Sequence, residues 1–359
     1  MAEKSLASII LAAGAGTRLR SNHPKAIHRV CGRPMIVHIL RTIDSLVDDK
    51  QVVIVGFAHE IMKEALADYP VEFAYQEKQM GTGHAIMCAK PLLEKFTGDV
   101  LVLVGDAPLL TRNTVEKLIE RHRHMDASCT VLTTKMKKPD GYGRILRNQD
   151  GSVLSIVEDK DANIYEKKVN EINTGIYVFD SPSLFSALEK VEPANQQNEY
   201  YLTDVIHIMV KEKKRVDAYV TTDSAETMGI NNRIQFAKAE RIMRDRILYR
   251  LMLNGVTIVD PSSTFIDDNV EIGMDTIIQP NTFIQGKTVI GAGCEIGPLT
   301  QIEDSHIGEG CRINSSYLRG CMIPPEMSIG PFANLQHGEV VCAGSSTRRL
   351  PPNHPNSKK

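Results

Sequence analysis

The chain has 359 residues, which is enough for two domains with sizeable cores. Charged residues make up 24% of the sequence and nearly cancel, leaving a formal net charge of −2. No bulk basic field therefore points to nucleic acid or to an anionic membrane. Aromatic residues make up only 5% and Trp is absent, which argues against a platform for stacking bases. Any anionic ligand must be held by local charges.

The cysteines and the N-terminal segment indicate a cytoplasmic protein. The seven cysteines are scattered, without a C-x-x-C pair, which favours reduced thiols over a disulfide framework or a zinc site. Lys4 and the apolar run after it mimic a short signal peptide, but the run leads directly into a glycine-rich loop. We interpret it as a first strand. The sequence has no run of 18 apolar residues, so no membrane-spanning helix is predicted.

A glycine-rich turn follows this first strand and has the features of a polyphosphate site. The apolar run Ile9–Leu11 predicts a buried strand, and Ala-Ala-Gly-Ala-Gly comes next at 12–16. Arg18 and Lys25 bring two cations, while backbone N–H groups in such a turn can cradle phosphate oxygens. Neither a Walker A loop nor the dinucleotide fingerprint fits, since Leu19 stands where the latter needs a third glycine. An ordinary strand-to-helix turn would not explain the Thr-Arg and Pro-Lys pairs.

Strands and helices alternate through the first half of the chain, which predicts βαβ units and a mostly parallel sheet. The patterns predict strands at 51–56, 71–75, 99–106, 127–134, 153–158 and 171–179, and helices at 34–46, 60–67, 112–124 and 205–210. The helix at 112–124 ends in Arg121-His-Arg-His124, which we interpret as a solvated basic surface. Ligands of such sheets bind at the carboxyl ends of the strands, so the loops there are the candidate site.

Two of these loops carry candidate ligand groups. The loop after the third predicted strand contains Gln76, Gly81 and Thr82, whose amide, backbone and hydroxyl groups suit a pyrimidine edge, although an ordinary helix start explains it equally well. His84 in the same loop is interpreted as a packed or capping residue. Asp106 ends a fully apolar strand, where a carboxylate suits Mg²⁺ together with substrate phosphates. The alternative for Asp106 is a cap on the next helix.

Further along, several polar positions admit two interpretations from the residues alone. Glu158, Asn173 and the glycines around 141–143 could bind a sugar with an N-acyl group, or form a surface hairpin. Tyr201 and Thr203 could contact a ligand, or Thr203 or Asp204 could cap the following helix. Asn231 could give Mg²⁺ a second oxygen ligand, or lie in the capped start of the next helix.

The last third of the chain is a repeat. An amphipathic helix over 231–254 is predicted to connect the domains, with Asn254-Gly255 as its C-terminal stop. Isoleucines then recur every six residues from Ile272 to Ile302, several followed by Gly, which is the hexapeptide pattern of a parallel β-helix. We place the first, α/β domain at 1–230, the β-helix at 255–337, and a tail expected to be disordered at 338–359.

The order of the motifs resembles the bacterial N-acetylglucosamine-1-phosphate uridyltransferase family, the amino-terminal half of a bifunctional uridyltransferase/acetyltransferase. The matching segments cover about the first 330 residues and read LAAGAGTR with PK, QMGTGHA, VGDAPL, GYGRI, IVEDKD, EINTGIY, NEYYLTD and GINNR. The resemblance implies a Rossmann-like α/β nucleotidyltransferase domain followed by a short left-handed β-helix. It also implies a homotrimer assembled through the β-helix.

The resemblance also implies roles for the candidate residues. Arg18 and Lys25 would be catalytic, Asp106 and Asn231 would bind Mg²⁺, and the substrates would be UTP and N-acetylglucosamine 1-phosphate. Nucleotide-binding residues would be Leu11, Ala12, Ala13, Gly14, Gln76, Gly81 and Thr82. Sugar-phosphate-binding residues would be Gly141, Glu158, Asn173, Tyr201 and Thr203.

The expected reaction gives UDP-N-acetylglucosamine and pyrophosphate by direct in-line attack, for peptidoglycan precursors. Alternatives are a relative that uses glucose 1-phosphate with UTP or dTTP, and a non-catalytic sugar-nucleotide-binding subunit. A β-helix acyltransferase is the third. Where the family has an Arg-rich continuation after IGPFA, this chain has Asn334-Leu-Gln-His337, so acetyl transfer is expected to be absent.

Overall fold

A computed structural model describes residues 4–14, 16–56 and 58–336. The chain forms two compact units, which are described separately. The first comprises the chain up to Arg29 together with Pro34–Ala239, and the second comprises Val30–Arg33 together with the chain from Glu240 onward.

The first unit is built on a nine-stranded sheet with the central order β11-β7-β10-β6-β1-β4-β5. Strands β4 and β6 both pair in parallel with β1, and β5 pairs in parallel with β4. Only β10 in this central path runs against its neighbours. The prediction of a mostly parallel sheet is confirmed. The strands up to β11 are β1 Leu6–Leu11, β2 Arg29–Val30, β3 Arg33–Pro34, β4 Gln51–Val55, β5 Glu72–Tyr75, β6 Asp99–Val104, β7 Cys129–Lys135, β8 Arg144–Arg147, β9 Val153–Val157, β10 Glu171–Asp180 and β11 Val216–Thr221.

Helices cover both faces of this sheet, because its central strands are apolar on both sides. Alternate residues of β1 show this: Ile9 faces one buried cluster and Ile10 faces the other. Residues of α3, α5 and α6 join the cluster of Ile9, and residues of α1 and α4 join that of Ile10. The helices are α1 Met35–Ile43, α2 His59–Ala65, α3 Thr82–Leu93, α4 Arg112–His124, α5 Ser181–Leu188, α6 Leu202–Lys211 and α7 Arg233–Leu253.

The expectation of a solvated basic surface at the end of α4 is wrong for one residue. His122 is buried, and its Nδ1 lies 3.0 Å from the hydroxyl of Thr130 on β7. Its other ring nitrogen lies 3.6 Å from an Asp99 carboxylate oxygen. The helical spacing was compatible with this, since His122 lies on the face that also carries the buried Val115 and Leu118.

The second unit contains three stacks of short parallel strands, as a parallel β-helix requires. Isoleucines at equivalent positions pair from coil to coil, for example Ile278 with Ile296 and Ile296 with Ile313, and they are buried. Buried threonine hydroxyls bond main-chain carbonyls, as in the 2.7 Å bond from Thr282 to Gln279. The strands are β12 Thr257–Ile258, β13 Thr264–Ile266, β14 Glu271–Ile272, β15 Ile277–Ile278, β16 Thr282–Gln285, β17 Val289–Ile290, β18 Glu295–Ile296, β19 Gln301–Glu303, β20 His306–Ile307, β21 Arg312–Ile313, β22 Tyr317–Arg319, β23 Met322–Ile323, β24 Ser328–Ile329 and β25 Asn334–Leu335.

The tip of the hairpin between β2 and β3 belongs to the second unit. The Cys31 N–H donates to a Glu240 carboxylate oxygen at 3.0 Å, and the Asp268 N–H donates to the Cys31 carbonyl at 3.1 Å. The Arg33 guanidinium lies 2.9 Å from the Asp268 carboxylate and also bonds Asn269. These contacts hold four residues from early in the sequence within the β-helix unit.

The predicted domain bounds of 1–230, 231–254 and 255–337 stay predictions. In the structure, α7 runs over Arg233–Leu253, and the division between the two units falls within it, after Ala239. The predicted tail at 338–359 lies outside the described residues, and the left-handed sense of the β-helix stays a prediction. Within the described part of the chain, no helix is both long and apolar enough to cross a membrane.

Candidate active site

The candidate site lies where adjacent parallel strands of the first unit end. Strands β6, β1, β4 and β5 are neighbours, and the loops that follow them carry Asp106, Ala12–Gly14, Gly56 and Gln76. The Gly105 N–H donates to the Leu11 carbonyl at 2.9 Å, and the Gln76 N–H donates to the Val55 carbonyl at 2.8 Å. These hydrogen bonds join the loops at the edge of the sheet where the sequence analysis predicts the site.

The glycine-rich turn brings its own chain close to Lys25. Gly16 has φ of +63°, and a Cβ placed on it would lie 2.8 Å from the Cβ of Lys25. A larger residue would therefore clash with the lysine and would also be strained. Pro24 precedes a short 3₁₀ turn that begins at Lys25, and Arg18 lies in another. The close packing of Lys25 thus leaves room only for a glycine at position 16.

A charged cluster forms from Arg18, Lys25, Asp106 and Asn231. The Lys25 ammonium donates to an Asp106 carboxylate oxygen and, at 2.8 Å, to the Asn231 side-chain oxygen. The Arg18 guanidinium donates to the same Asn231 oxygen at 2.7 Å. The side chains of Lys25 and Asp106 are only 15% and 21% exposed, so water screens their interaction incompletely. Two cations and two oxygen ligands predicted from distant parts of the sequence thus meet at one place.

The structure separates the two interpretations left open for Asn231. The helix cap is the next residue: the Asn232 side-chain oxygen accepts the Gln235 N–H at 2.9 Å. Asn231 turns instead toward the cations. Its own N–H donates to the Gln235 side chain at 2.7 Å, and the preceding Ile230 N–H donates to the Asp106 carbonyl at 3.0 Å. Asp106 is not a helix cap either, since Thr111 caps α4.

The oxygen pair of Asp106 and Asn231 fits a magnesium ion. Both oxygens already converge on one cationic group, the Lys25 ammonium, so the position attracts positive charge. Mg²⁺ prefers one or two carboxylates completed by substrate phosphates. Among the described residues, no group of three or more His, Cys, Asp and Glu side chains could hold a metal by itself. This donor set therefore suits an ion that arrives with a phosphate-bearing ligand.

A cleft of about 330 Å³ opens beside the charged cluster. Its size lies at the lower end of the range for small-molecule sites. The predicted residues that line it are Leu11, Ala12, Ala13, Gly14, Lys25, Gln76, Gly81, Thr82 and Asp106. Every residue assigned to the nucleotide by resemblance thus borders one cavity.

The loop with Gln76 is held in a fixed shape. Gln76 is buried, and its amide nitrogen donates to the Gly81 carbonyl at 3.0 Å and lies 3.1 Å from His84 Nδ1. The Thr82 hydroxyl accepts the Leu202 N–H at 3.1 Å. Part of the hydrogen-bonding capacity of both side chains is therefore used within the protein, and Gln76 keeps its amide oxygen for a ligand.

The sequence analysis missed two polar side chains that line the cleft, Gln79 and Glu199. Gln79 lines it, and its amide nitrogen donates to the Ala13 carbonyl at 2.8 Å, so it ties the loop after β5 to the glycine-rich turn. Glu199 also lines the cleft. Gln79 is three residues from Gln76 in a polar segment, so an amide repeated at this spacing was the available signal. For Glu199 the sequence offered only its position in the NEYYLTD segment.

A polar cluster, called the buried polar cluster below, consists of the buried Tyr177 and Thr203 and the partly buried Glu158 and Asn173. The Thr203 hydroxyl donates to a Glu158 oxygen at 3.3 Å, and the Tyr177 hydroxyl donates to the Asn173 side-chain oxygen at 2.9 Å. A Cβ on Gly143 would lie 3.3 Å from the Asn173 Cβ and 3.4 Å from a Glu158 oxygen, so this glycine joins the two pairs. The capping alternative for Thr203 is wrong, because α6 starts at Leu202 and has no side-chain cap.

Gly141 and Tyr201 lie at the margins of this cluster. Gly141 has φ of +81° and faces open space, so a ligand could approach its backbone. Tyr201 is buried, and its hydroxyl accepts a bond from Gln197 at 2.6 Å. Neither residue contacts the cluster through a hydrogen bond among the described residues, and their assignment to a ligand stays a prediction.

Burial changes the titration of the buried polar cluster. Desolvation raises the pKa of Glu158 above its usual value, reinforced by the nearby carboxylates Asp161 and Asp204 and opposed by the Thr203 hydrogen bond. Burial also raises the pKa of Tyr142, where Asp106 reinforces the shift and Arg18 opposes it. Tyr142 is thus within electrostatic reach of the charged cluster, while its neighbour Gly143 packs beside Glu158.

Comparisons with known proteins agree with this geometry. A sequence model of the family described as "Nucleotidyl transferase" matches residues 7–229. The chain is 46% identical over 338 residues to the "Bifunctional protein GlmU" of Thermoanaerobacter pseudethanolicus, covering 94% of this chain and 73% of that protein. It is 49% identical over 329 residues to the protein of the same name from Geobacillus thermodenitrificans, covering 92% of this chain and 72% of that protein.

The fold is also similar to that of a solved enzyme. A UDP-glucose pyrophosphorylase complexed with UDP-glucose superposes with a TM-score of 0.53 at 18% identity, over 67% of this chain and 99% of that chain. At this identity the similarity concerns the fold alone.

Proposed function

This chain belongs to the family of bifunctional GlmU proteins, and on that premise we propose that it is an N-acetylglucosamine-1-phosphate uridyltransferase. The reaction joins UTP and N-acetylglucosamine 1-phosphate to give UDP-N-acetylglucosamine and pyrophosphate. The observation that carries the proposal is the charged cluster of Arg18, Lys25, Asp106 and Asn231, of which Lys25 and Asp106 line a cleft of about 330 Å³.

The transfer proceeds by a direct displacement. A phosphate oxygen of the sugar phosphate attacks the α-phosphorus of UTP, and the bond from that phosphorus to the bridging oxygen of the β-phosphate breaks. Pyrophosphate leaves with that electron pair, and no covalent enzyme intermediate forms. Such a reaction depends on positioning and on neutralising phosphate charge.

Lys25 and Arg18 supply the positive charge in this scheme. Both already point at one oxygen, that of Asn231, so their headgroups lie close together before any substrate binds. Phosphate oxygens of UTP can replace or share these contacts, since Arg and Lys are both effective phosphate ligands. The preformed arrangement avoids the cost of ordering two long side chains during the reaction.

Asp106 and Asn231 would hold Mg²⁺ through their side-chain oxygens. The bound ion would neutralise the triphosphate and act as a Lewis acid on its oxygens. Asp106 has its backbone fixed by the Ile230 N–H, and Asn231 is fixed by Gln235, so both oxygens keep their direction.

The sugar phosphate would bind at the buried polar cluster. Glu158 and Asn173 offer a carboxylate and an amide, which suit sugar hydroxyls and an N-acetyl group, and Thr203 orients Glu158 through its hydroxyl. The open backbone at Gly141 and the side chain of Tyr201 complete the proposed sugar site.

We also propose a homotrimer that works in the cytoplasm. Apolar side chains such as Leu299 and Phe332, 66% and 85% exposed, lie on the β-helix and are candidates for subunit contacts. The cysteines among the described residues are free thiols, as in a reducing compartment. Light scattering of the purified protein tests the trimer: a mass three times that of the chain supports it, and a monomer contradicts it.

The decisive assay measures pyrophosphate release from UTP, Mg²⁺ and N-acetylglucosamine 1-phosphate, with glucose 1-phosphate in a parallel reaction. We expect fast release only with the N-acetylated sugar. Release with glucose 1-phosphate instead would overturn the sugar assignment but keep the phosphate site. Binding of UTP without release in either reaction would favour a non-catalytic binding subunit. Consumption of acetyl-CoA with glucosamine 1-phosphate would contradict the prediction that acetyl transfer is absent.

A further inference from the structure

Arg144 is a buried charge that the proposed mechanism does not use. Its side chain is 1% exposed and is among the largest fully buried side chains of the described residues. Burying a guanidinium is costly unless it is paired and hydrogen-bonded. The partners that stabilise it indicate what the charge does at this place.

The Arg144 guanidinium bridges two separate segments of the chain. One terminal nitrogen donates to the main-chain carbonyl of Tyr142. The other donates to a carboxylate oxygen of Asp159 at 3.0 Å. Tyr142 lies between the two glycines that precede β8, and Asp159 lies two residues after the end of β9.

The pairing of β8 with β9 brings these segments to the same place. Arg144 lies opposite Val157 in the antiparallel register, so the residues before the first and after the second emerge at one end of the hairpin. There Gly143 packs beside Glu158, and its carbonyl accepts the Asn173 N–H at 2.9 Å. Arg144 thus bridges the segment that leads to Glu158 and the glycine turn that packs against both Glu158 and Asn173.

We infer that Arg144 is a positioning residue for the sugar phosphate: it sets the spacing between the turn at 141–143 and the segment with Glu158, without touching the substrate. This inference rests on the function proposed above. A planar fork of donors can hold a carbonyl and a carboxylate at fixed directions at the same time. A lysine has the charge but lacks this geometry, so it cannot replace the bridge.

Arg147, on the same strand, provides a matched control. Its guanidinium also pairs with a partly buried carboxylate, Glu171, with contacts of 2.6 and 2.8 Å. It also donates to the Gly151 carbonyl at 2.7 Å. None of these partners belongs to the buried polar cluster. Loss of Arg147 therefore removes a comparable ion pair from the same hairpin without loosening the proposed sugar site.

The test compares Arg144→Lys, Arg144→Gln and Arg147→Gln in the pyrophosphate-release assay. For both Arg144 variants we expect the KM for N-acetylglucosamine 1-phosphate to rise about tenfold, the size of a lost charged hydrogen bond. The KM for UTP should change by less than about twofold, because the nucleotide cleft has no contact with Arg144. Arg147→Gln should lower Tm as Arg144→Gln does and leave both KM values unchanged.

Asp159→Asn tests the same bridge from its exposed end. The Asp159 side chain is 30% exposed, and the substitution keeps its shape, so it removes the charge without opening a cavity. It should raise the KM for the sugar phosphate, and the double variant Arg144→Lys/Asp159→Asn should cost little more than either single change, since both break one contact.

The outcomes separate the two proposals. Wild-type protein that releases no pyrophosphate overturns the proposed function and with it the role of Arg144. Active wild type, with the sugar-phosphate KM of Asp159→Asn and Arg144→Lys within about twofold of normal, overturns the Arg144 inference alone. An equal rise for Arg147→Gln would show that any broken ion pair in this hairpin has the effect, and would also overturn it.

Discussion

The charged cluster and the buried polar cluster are organised by opposite physical means. In the charged cluster, Lys25 and Asp106 remain partly open to water and are held by their attraction to each other. In the buried polar cluster, burial works against the charge of Glu158 and raises its pKa, while neutral hydroxyl and amide groups fix the geometry. A polyphosphate needs countercharge, whereas a sugar needs directed hydrogen bonds, and each cluster offers what its proposed ligand requires.

Removing Lys25 should give the largest effect. Lys25→Ala takes away the cation that joins Asp106 to Asn231, and we expect turnover to fall on the order of 10²–10³-fold, as for loss of one electrostatic stabiliser. The rate of pyrophosphate release at saturating substrates measures this. Lys90→Ala, which breaks an exposed pair with Glu189, is the control and should keep its rate. Near-normal turnover of Lys25→Ala would refute the proposed role of the charged cluster.

Asp106→Asn should weaken the binding of Mg²⁺. The variant keeps the shape of the side chain but removes its charge. Loss of even a supporting group around a metal costs about 10–100-fold in affinity, so at least that increase is expected in the Mg²⁺ concentration for half-maximal rate. A magnesium titration of the rate measures it, with Asp217→Asn, which only loses its pair with Arg121, as the control. An unchanged Mg²⁺ requirement would remove Asp106 from the metal site.

Glu158→Gln should weaken the binding of the sugar phosphate but make the protein more stable. Loss of hydrogen bonds to a carboxylate should raise the KM for the sugar phosphate about 10–100-fold. Because its pKa is raised on folding, ionised Glu158 lowers stability as the pH rises from its unfolded value through its folded one. Glu158→Gln should therefore raise Tm at neutral pH, and the wild-type KM for the sugar phosphate should rise as the pH falls through that raised pKa.

Glu171 serves as the control, because its pKa is lowered in the folded protein whereas that of Glu158 is raised. Burial raises the pKa of Glu171, but hydrogen bonds from Arg147 and Thr133 outweigh this and lower it overall. Its ionised form therefore stabilises the fold above its unfolded pKa, and that stability is lost as the pH falls through the folded value. Glu171→Gln should lower Tm at neutral pH. If both variants shift Tm in the same direction, the contrast drawn between the two carboxylates is wrong.

Gln79→Ala should give the smallest effect. Its amide makes one neutral hydrogen bond to the Ala13 carbonyl, and such a bond contributes about 0.5–1.5 kcal/mol. We expect the KM for UTP to rise about 2–10-fold and the KM for the sugar phosphate to stay unchanged. Steady-state kinetics with each substrate varied in turn measures this. A rise confined to the sugar phosphate would contradict the link between Gln79 and the nucleotide turn.

The sequence allowed much of this site to be predicted because its parts lie in recognisable local contexts. Arg18 and Lys25 follow a glycine-rich turn, and Asp106 ends an apolar strand, so strand order alone brings them to one edge. The β-helix was predictable for the same reason, because isoleucines that recur at every sixth residue form a local pattern. The structure then showed Asn231 beside the cations and Asn232 as the cap.

Other residues were not predictable because their partners are fixed only by tertiary structure. Nothing near Arg144 in the sequence indicates that its guanidinium is buried and bonded to Asp159 after a strand reversal. The sequence around His122 predicts a solvated basic helix end. In the structure, however, His122 lies on the face of α4 that packs on β7, and its Nδ1 contacts the Thr130 hydroxyl. The Gln79 amide and the Ala13 carbonyl are 66 residues apart. Local patterns place backbone elements, but such contacts depend on how the elements meet.

The hairpin tip at Val30–Arg33 has a consequence for cutting the chain into fragments. Its partners Glu240 and Asp268 come more than two hundred residues later, so no single cut yields two pieces that each keep all their contacts. A fragment that stops at residue 239 would leave the Cys31 N–H and the Arg33 guanidinium without these partners, only a few residues beyond Lys25. A recombinant chimera that exchanges the β-helix must therefore exchange these four residues with it.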